Sequence, residues 1–408
     1  MFLTGMVASI FVALTKFAME EQKGPPLEPL TVINVELNSG LVEHPSLDPF
    51  DRFDFNRLDF NESLGLDAFL MVIHRAKRDE KVAGIVLDLK GLPKSWAQSS
   101  DVRRALLSFK EAGKWILAHS NTYSFKEYHL ASVADEISMT PKGDIDLKGL
   151  GMEMIFMGKL MKKLGIDIKV FRGENNSYKS AVEPFVMEGM SRDNRAQMKE
   201  FVDEMWLTLS RDIETSRGLE AGTLSRLVES YAPSSAEEAL SLGLIDHIEY
   251  SSQWKLRIKN KLGLEDDAEL EMRSPLSYAK VKDIVPLKEN VDLTEKGITV
   301  LLAEGAIVSD ERDDGKSITP GYMKSWLDEL INDENVSALV LRLNSPGGEA
   351  LAAEQIWFEL NEFKKKKPLV ISMGDTVASG GYYMACAGHY IFSEETTLTG
   401  SIGVFGMM

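Results

Sequence analysis

Apolar residues along this chain fall into two recurring patterns. Short continuous runs rich in Val, Leu and Ile occur at 31–37, 82–89, 115–118, 298–302, 336–343 and 369–373. Runs of this length and composition predict buried strands. Between them the apolar positions take helical spacing. Ile356, Trp357, Leu360 and Phe363 fall on one face of a helix. Met198, Phe201, Val202, Met205, Trp206 and Leu209 form a second stripe, with Ser191 as its N-cap and Asp193 in its first turn. Residues 234–242 predict a further capped helix, with Gly243 near its end. Strands that alternate with crossover helices predict an α/β architecture with largely parallel pairing.

The pattern is written twice. Residues 66–151 align without a gap on 320–405, an offset of 254. Asp79-Glu80 recurs as Asp333-Glu334, Val86-Leu87 as Val340-Leu341, Phe109-Lys110 as Phe363-Lys364, and Thr122, Tyr128, Ala131, Ile137 and Gly149 as Thr376, Tyr382, Ala385, Ile391 and Gly403. A gapless match of this length marks two copies of one structural unit. The expected organisation is an N-terminal apolar segment and linker over 1–30, a first unit over 31–252, a charged inter-domain connection over 253–297, and a second unit over 298–408. The first copy runs on well past its aligned block and the second stops just beyond it, so the second unit is expected to be incomplete.

The copies differ where chemistry could sit. The second carries Asn344-Ser345-Pro346-Gly347-Gly348 and Ala378-Ser379-Gly380-Gly381; the first carries Lys90-Gly91-Leu92-Pro93-Lys94 and Ser124-Phe125-Lys126-Glu127. Phe125 stands where Ser379 stands.

Composition narrows the field. The chain has 408 residues, too many for one ordinary core. With 46 basic and 63 acidic residues its net charge is −17, which argues against a nucleic-acid partner. Its one cysteine, Cys386, permits no internal disulfide and no cysteine-based metal cluster, and its apolar surroundings predict a small core residue. The first charge is Lys16, so the N-terminal apolar run is shorter than the ~20 residues a spanning helix needs, and no basic n-region precedes it. It reads as part of a membrane anchor, followed by a stiff linker with Pro25, Pro26 and Pro29.

Ser379 lies between a strand-like run and an apolar helical run. A serine at such a turn, followed by two glycines, can present its hydroxyl beside backbone amides that approach a reacting carbonyl. Pro346-Gly347-Gly348 can supply a second amide. A nucleophilic serine needs a base. His389 is the nearest histidine in sequence; His44, His74, His119, His129 and His247 lie in the first unit, and none has a motif around it. The other candidate is a lysine kept neutral by burial, with its pKa brought from ~10.4 toward ~7 or 8, roughly 4 kcal/mol of differential desolvation. The residues alone select neither.

Four strings in register decide. Ser177 to Phe185 (SYKSAVEPF), Asn344 to Gly348 (NSPGG), Ala378 to Tyr383 (ASGGYY) and Thr397 to Gly403 (TLTGSIG) together resemble the signal peptide peptidase A family, also called protease IV, in its long two-repeat bacterial form. The resemblance runs from about residue 30 to 408. It implies a fold of the crotonase and caseinolytic-protease type, built from repeated ββα units, and a Ser/Lys dyad. Ser379 matches the nucleophile, Lys179 the general base, Ser401 the serine that orients the lysine, and Gly348 and Gly380 the oxyanion-hole donors. It further implies peptide substrates in the form of released signal peptides, no metal or nucleotide cofactor, a homo-oligomer, and a place at the bacterial cytoplasmic membrane with the catalytic body outside the cytoplasm. Phe125 and Lys94 remove the serine and the glycine loop from the first unit, in keeping with the long form. Two alternatives remain: a crotonase-like acyl-CoA enzyme using the same amide hole, and an inactive scaffold.

Overall fold

The computed structural model of the chain describes residues 26–36, 41–43, 53–54, 59–60, 64–89, 95–173, 176–282, 296–309 and 317–408. The N-terminal apolar segment, His44 and the loop from Lys90 to Lys94 lie outside these residues.

The first half contains the strands β1 (Thr31–Glu36), β2 (Val82–Asp88), β3 (Trp115–Ser120), β4 (Glu136–Met139), β5 (Val170–Arg172), β6 (His247–Ile248) and β7 (Met272–Arg273). All but β5 form one sheet in the order β6-β4-β3-β2-β1-β7, with every pairing parallel. Its helices include α1 (Leu66–Arg78), α2 (Trp96–Glu111), α3 (Phe125–Ala131), α4 (Arg192–Arg217), α5 (Ser251–Leu262) and α6 (Pro275–Val281). The second half repeats the plan with β8 (Gly297–Glu304), β9 (Val336–Ser345), β10 (Leu369–Ala378) and β11 (Tyr390–Phe392), again all parallel. Two further strands follow, β12 (Leu398–Gly400) and β13 (Phe405–Met407), with helices α7 (Pro320–Asn332), α8 (Ala350–Lys364) and α9 (Gly380–Ala385).

The α/β expectation and the duplication hold in detail. The ladder register slips at the same place in both halves, between Thr31 and Val32 against β2 and between Gly297 and Ile298 against β9. Parallel strands covered on both faces need apolar residues at nearly every position. In the first sheet this is why the consecutive Ile85, Val86 and Leu87 are buried, whereas in β9 the buried residues alternate, Leu339, Leu341 and Leu343, on the one face that the second core covers. In α8, Ile356, Leu360 and Phe363 enter the second core and Trp357 packs at its margin. In α4, Met205 and Leu209 are buried, and Ser191 caps the helix by accepting the Asn194 amide at 3.1 Å. The helix expected over 234–242 spans Ala236–Ser241, with Ser235 as its cap.

Three readings change. The β10 strand runs five residues beyond Met373 because the backbone of its polar continuation pairs with β12, Thr376 opposite Leu398 and Ala378 opposite Gly400. Residues 253–297, expected to be an inter-domain connection, are structured over their described part. Trp254 and Ile258 pack on Val32, Val86 and Leu117, β7 pairs with β1, and Tyr278 is fully buried. Charge on the outer faces of α5 and α6 hides these narrow apolar stripes from a composition-based reading. Cys386 is exposed rather than a core residue: helical rotation buries Met384, Ala385 and Ala387 and turns position 386 outward.

Two seams join the halves. One is polar. The Arg342 guanidinium lies 3.0 Å from Glu43 and 3.2 Å from Asp101, Ser95 bonds to Asp375, Arg104 to Glu394 and Arg211 to Glu395. The other is a two-stranded antiparallel ribbon in which β5 of the first half pairs with β13 of the second, Phe171 opposite Gly406. That ribbon positions the site described next.

Candidate active site

Ser379 occupies the turn from β10 into α9. The pairing of β10 with β12 brings Gly400 alongside Ala378, and the Ser379 amide donates to the Gly400 carbonyl at 2.9 Å. Ser379 has φ 54° and ψ −119°, a conformation that a residue with a side chain rarely adopts and that surrounding structure must enforce. No side chain caps α9. As the first residue of that helix, Gly380 has an amide with no intrahelical acceptor.

The Asn344–Gly348 loop closes against this turn. Gly347 has φ +92°, and a Cβ there would stand 2.7 Å from the Gly380 nitrogen and 2.8 Å from the Ser379 Cβ, so only glycine allows the approach. Ser345, fully buried, holds the loop by accepting the Gly347 amide at 3.1 Å. Ile307 ties it from the other side, donating to the Gly347 carbonyl at 3.0 Å and accepting from the Glu349 amide at 2.9 Å. The Gly348 nitrogen is 3.4 Å from where a Cβ on Gly380 would sit. The two glycine amides therefore lie close together beside the serine.

Lys179 arrives from the first half, 200 residues away in sequence. The β5–β13 ribbon, extended by reciprocal hydrogen bonds between Lys169 and Met408 (2.9 and 3.0 Å), lays the segment after β5 across the second half. The Lys179 amide donates to the Asn176 carbonyl at 3.0 Å, and Arg172 donates to the Lys179 carbonyl at 3.3 Å. Asn176 packs on Gly403, where any side chain would collide with it. Lys179 is 4% exposed. Its Nζ lies 3.1 Å from Ser379 Oγ and 2.9 Å from Ser401 Oγ, and it also bonds to the Ser401 carbonyl. Among the described residues no carboxylate forms a salt bridge to this amine. Burial holds its pKa below the ordinary lysine range.

All five residues marked by resemblance thus converge at one point. The histidines do not. The β10 strand spans ten residues, and His389 bonds to Leu369 at the end opposite Ser379, roughly 30 Å along the strand at ~3.3 Å per residue. His247 pairs with Glu136, and His119 stacks on Trp254. His129 does stand in a Ser-His-Asp line, 3.3 Å from Ser99 Oγ and 3.3 Å from Asp212. Ser99 and His129 are both 0% exposed, so no peptide can reach that serine. The line braces α2, α3 and α4 against one another. Nothing in the sequence marks Arg172 and Asn176, whose contacts to the lysine turn depend on the ribbon.

Among the described residues no group of three or more His, Cys, Asp or Glu side chains is placed to hold a metal ion, and no helix is long and apolar enough to cross a membrane.

Comparisons with known proteins place the chain in a family. A stretch of 347 residues is 30% identical to Protease 4 of Haemophilus influenzae, covering 83% of this chain and 55% of that protein. Protease 4 of Salmonella typhi is 33% identical over 347 residues, 82% of this chain and 54% of its own length. The chloroplastic serine protease SPPA of Arabidopsis thaliana is 31% identical over 355 residues, 85% and 50% respectively. The chain thus spans about half the length of these relatives. The family model described as peptidase family S49 matches residues 108–265 and 361–408, half of the chain, and includes Lys179, Ser379 and Ser401. The chain belongs to peptidase family S49.

Proposed function

We propose that this chain is a serine endopeptidase that works through a Ser379/Lys179 dyad and cuts signal peptides already released from secretory precursors. The observation that carries the reading is the 3.1 Å approach of a buried lysine amine, with no carboxylate partner among the described residues, to a serine hydroxyl on a strained strand-to-helix turn.

The chemistry follows from what a neutral amine can do. It has two hydrogens and one lone pair. The two oxygens of Ser401 accept the hydrogens, which leaves the lone pair facing Ser379 Oγ. Ser379 attacks the peptide carbonyl carbon as its proton passes to Lys179. The amides of Gly348 and Gly380 donate to the oxyanion that forms. The tetrahedral species collapses, the C–N bond breaks, and the Lys179 ammonium returns its proton to the leaving amine. Lys179 then takes a proton from water as the water oxygen attacks the ester carbonyl; the C–O bond to Ser379 breaks, Lys179 returns the proton to Ser379 Oγ, and the acyl group leaves as a carboxylic acid. Burial without a counter-charge is what this base requires, because a carboxylate beside it would favour the protonated form.

Membrane association, a homo-oligomeric assembly and a place at the bacterial cytoplasmic membrane with the site outside the cytoplasm belong to the same proposal. They rest on the N-terminal apolar run and on the family. The acyl-CoA alternative would put acidic groups at the reacting atoms, whereas here the side chains that meet are two serines and a lysine. The test is hydrolysis of apolar, signal-peptide-like substrates by the chain and by Ser379→Ala. Activity is expected only with Ser379 intact, and hydrolysis that survives its removal would overturn the reading.

A further inference from the structure

We propose that Glu183 is a positioning residue for the base: it fastens the turn carrying Lys179 to the N-terminus of α4 while keeping its own charge off the lysine. The inference rests on the Ser/Lys reading above.

Glu183 lies four residues after Lys179, beyond the single turn Ser180–Val182, and is 2% exposed. A buried carboxylate so near a lysine is a hazard. Turned toward the amine it would form an ion pair and keep Lys179 protonated. Its oxygens instead face α4. One accepts from Ser191 Oγ at 2.6 Å; the other accepts from the Ser191 amide at 3.1 Å and from Asn194 Nδ2 at 2.8 Å. The Ser191 hydroxyl serves both sides, donating to Glu183 and accepting the Asn194 amide at 3.1 Å. Burial alone would push the Glu183 carboxyl up; the Ser191 and Asn194 hydrogen bonds, with the nearby Arg172 charge, outweigh it and hold the group below the usual range. Its negative charge is thus matched by donors at the positive end of a 26-residue helix.

The far end of α4 is also held. Leu209 and Ile213 are buried in the first core, Asp212 bonds to His129, and Arg211 reaches Glu395, six residues before Ser401. The Glu183 clasp therefore transmits a fixed frame to a turn whose own residues Ser177, Tyr178 and Ala181 are exposed. Among the described residues the charged groups on the lysine's own segment, from β5 to Glu183, are Arg172, Lys179 itself and Glu183; Glu174 lies outside the described residues. The segment facing it from the second half, 400–405, carries no ionisable side chain, and α9 brings only the phenols of Tyr382 and Tyr383.

The test is the rate at which a fluorophosphonate labels Ser379 in the full chain, followed over roughly pH 5 to 10 in the wild type, Lys179→Ala, Glu183→Gln and Ser191→Ala. Glu183→Gln replaces an acceptor with a group that sets an amide donor against the donors of Ser191 and Asn194. Loosening the turn admits water to Lys179 and raises its pKa. The midpoint of the rising limb should move up by about one unit, with the rate near neutrality down about tenfold and the high-pH plateau within about threefold of wild type. Ser191→Ala, which removes one of the three donors, should shift the midpoint the same way by less. It decides the matter if circular dichroism shows Glu183→Gln to be unfolded. A uniform loss at every pH would overturn the proposal in favour of a purely structural role. A downward shift would overturn it by showing that the Glu183 charge acts on the lysine directly. An unlabelled Ser379 in the wild type, or labelling indifferent to Lys179→Ala, would overturn the Ser/Lys reading itself, and this inference with it.

Discussion

The same strand-to-helix turn occurs in both halves, and the two versions are finished in opposite ways. In the first half, Ser124 accepts the Glu127 amide at 3.3 Å and the Glu127 carboxylate accepts the Ser124 amide at 2.7 Å, a complete capping box. The next residue, Phe125, is 8% exposed and packs its ring 5.7 Å from Trp96 and 5.4 Å from Trp206. The turn is electrostatically satisfied and sealed with aromatic rings. In the second half the residues aligned with Ser124 and Glu127 are Ala378 and Gly381, no side chain caps the helix, and its N-cap, Ser379, is held at positive φ. Exposed helix-terminal donors cost stability in a resting protein, and a capping side chain is worth about 1 kcal/mol. What that sacrifice leaves is an amide free to meet a developing negative charge. On the proposed reading, one copy is built to be stable and the other to be reactive, and the first half contributes to the chemistry through Lys179, on the segment that leaves its sheet.

This contrast can be broken in graded ways. The largest effect belongs to the base. Lys179→Met keeps the apolar stem and removes the amine, and kcat/KM for peptide hydrolysis should fall by about 10²–10⁴. Next is the amide hole. A Cβ on Gly348 would stand 2.0 Å from the Ile307 carbonyl oxygen, so Gly348→Ala must shift the loop. Losing that donor should lower kcat by roughly 10²–10³ with KM little changed. Ser401→Ala removes one of the two acceptors that orient the amine and should cost about tenfold in kcat, the backbone carbonyl keeping the other contact. The pH profile carries a sign. A base works only after it loses its proton, so activity must rise with pH. Burial lowers the Lys179 pKa, so the midpoint of that rise should fall below the ~10.4 of an ordinary lysine. The smallest effect on activity comes from the retired copy. Phe125→Ser should destabilise the chain by about 3–5 kcal/mol in a denaturant melt and create no second active site, because the capping box and the rings of Trp96 and Trp206 remain.

The sequence exposes those parts of the molecule whose physics is local. Continuous apolar runs announce the parallel strands, and the duplication follows from their spacing. A serine between a strand pattern and Gly-Gly announces the turn at Ser379. What stays hidden depends on contacts distant in sequence. Lys179 reaches Ser379 only because Phe171 pairs opposite Gly406, and no periodicity around either residue signals that pairing. Resemblance marks the lysine, but its neighbours Arg172 and Asn176, and the donors that hold Glu183, come together only in the folded chain. The exposure of Cys386 is hidden because an apolar run does not say which residue a short helix turns outward. The segment from Trp254 to Tyr278 resembles a connection in sequence because charges on its outer faces mask two narrow apolar stripes, one packed on each face of the first sheet.

The division of labour between the halves is tested most directly by mapping the fluorophosphonate adduct by mass spectrometry in the wild type, Lys179→Met and Phe125→Ser. The expected result is one adduct, on Ser379, in the wild type and in Phe125→Ser, and none in Lys179→Met. An adduct on another residue, or undiminished labelling of Ser379 without the lysine, would contradict a single site assembled from both copies.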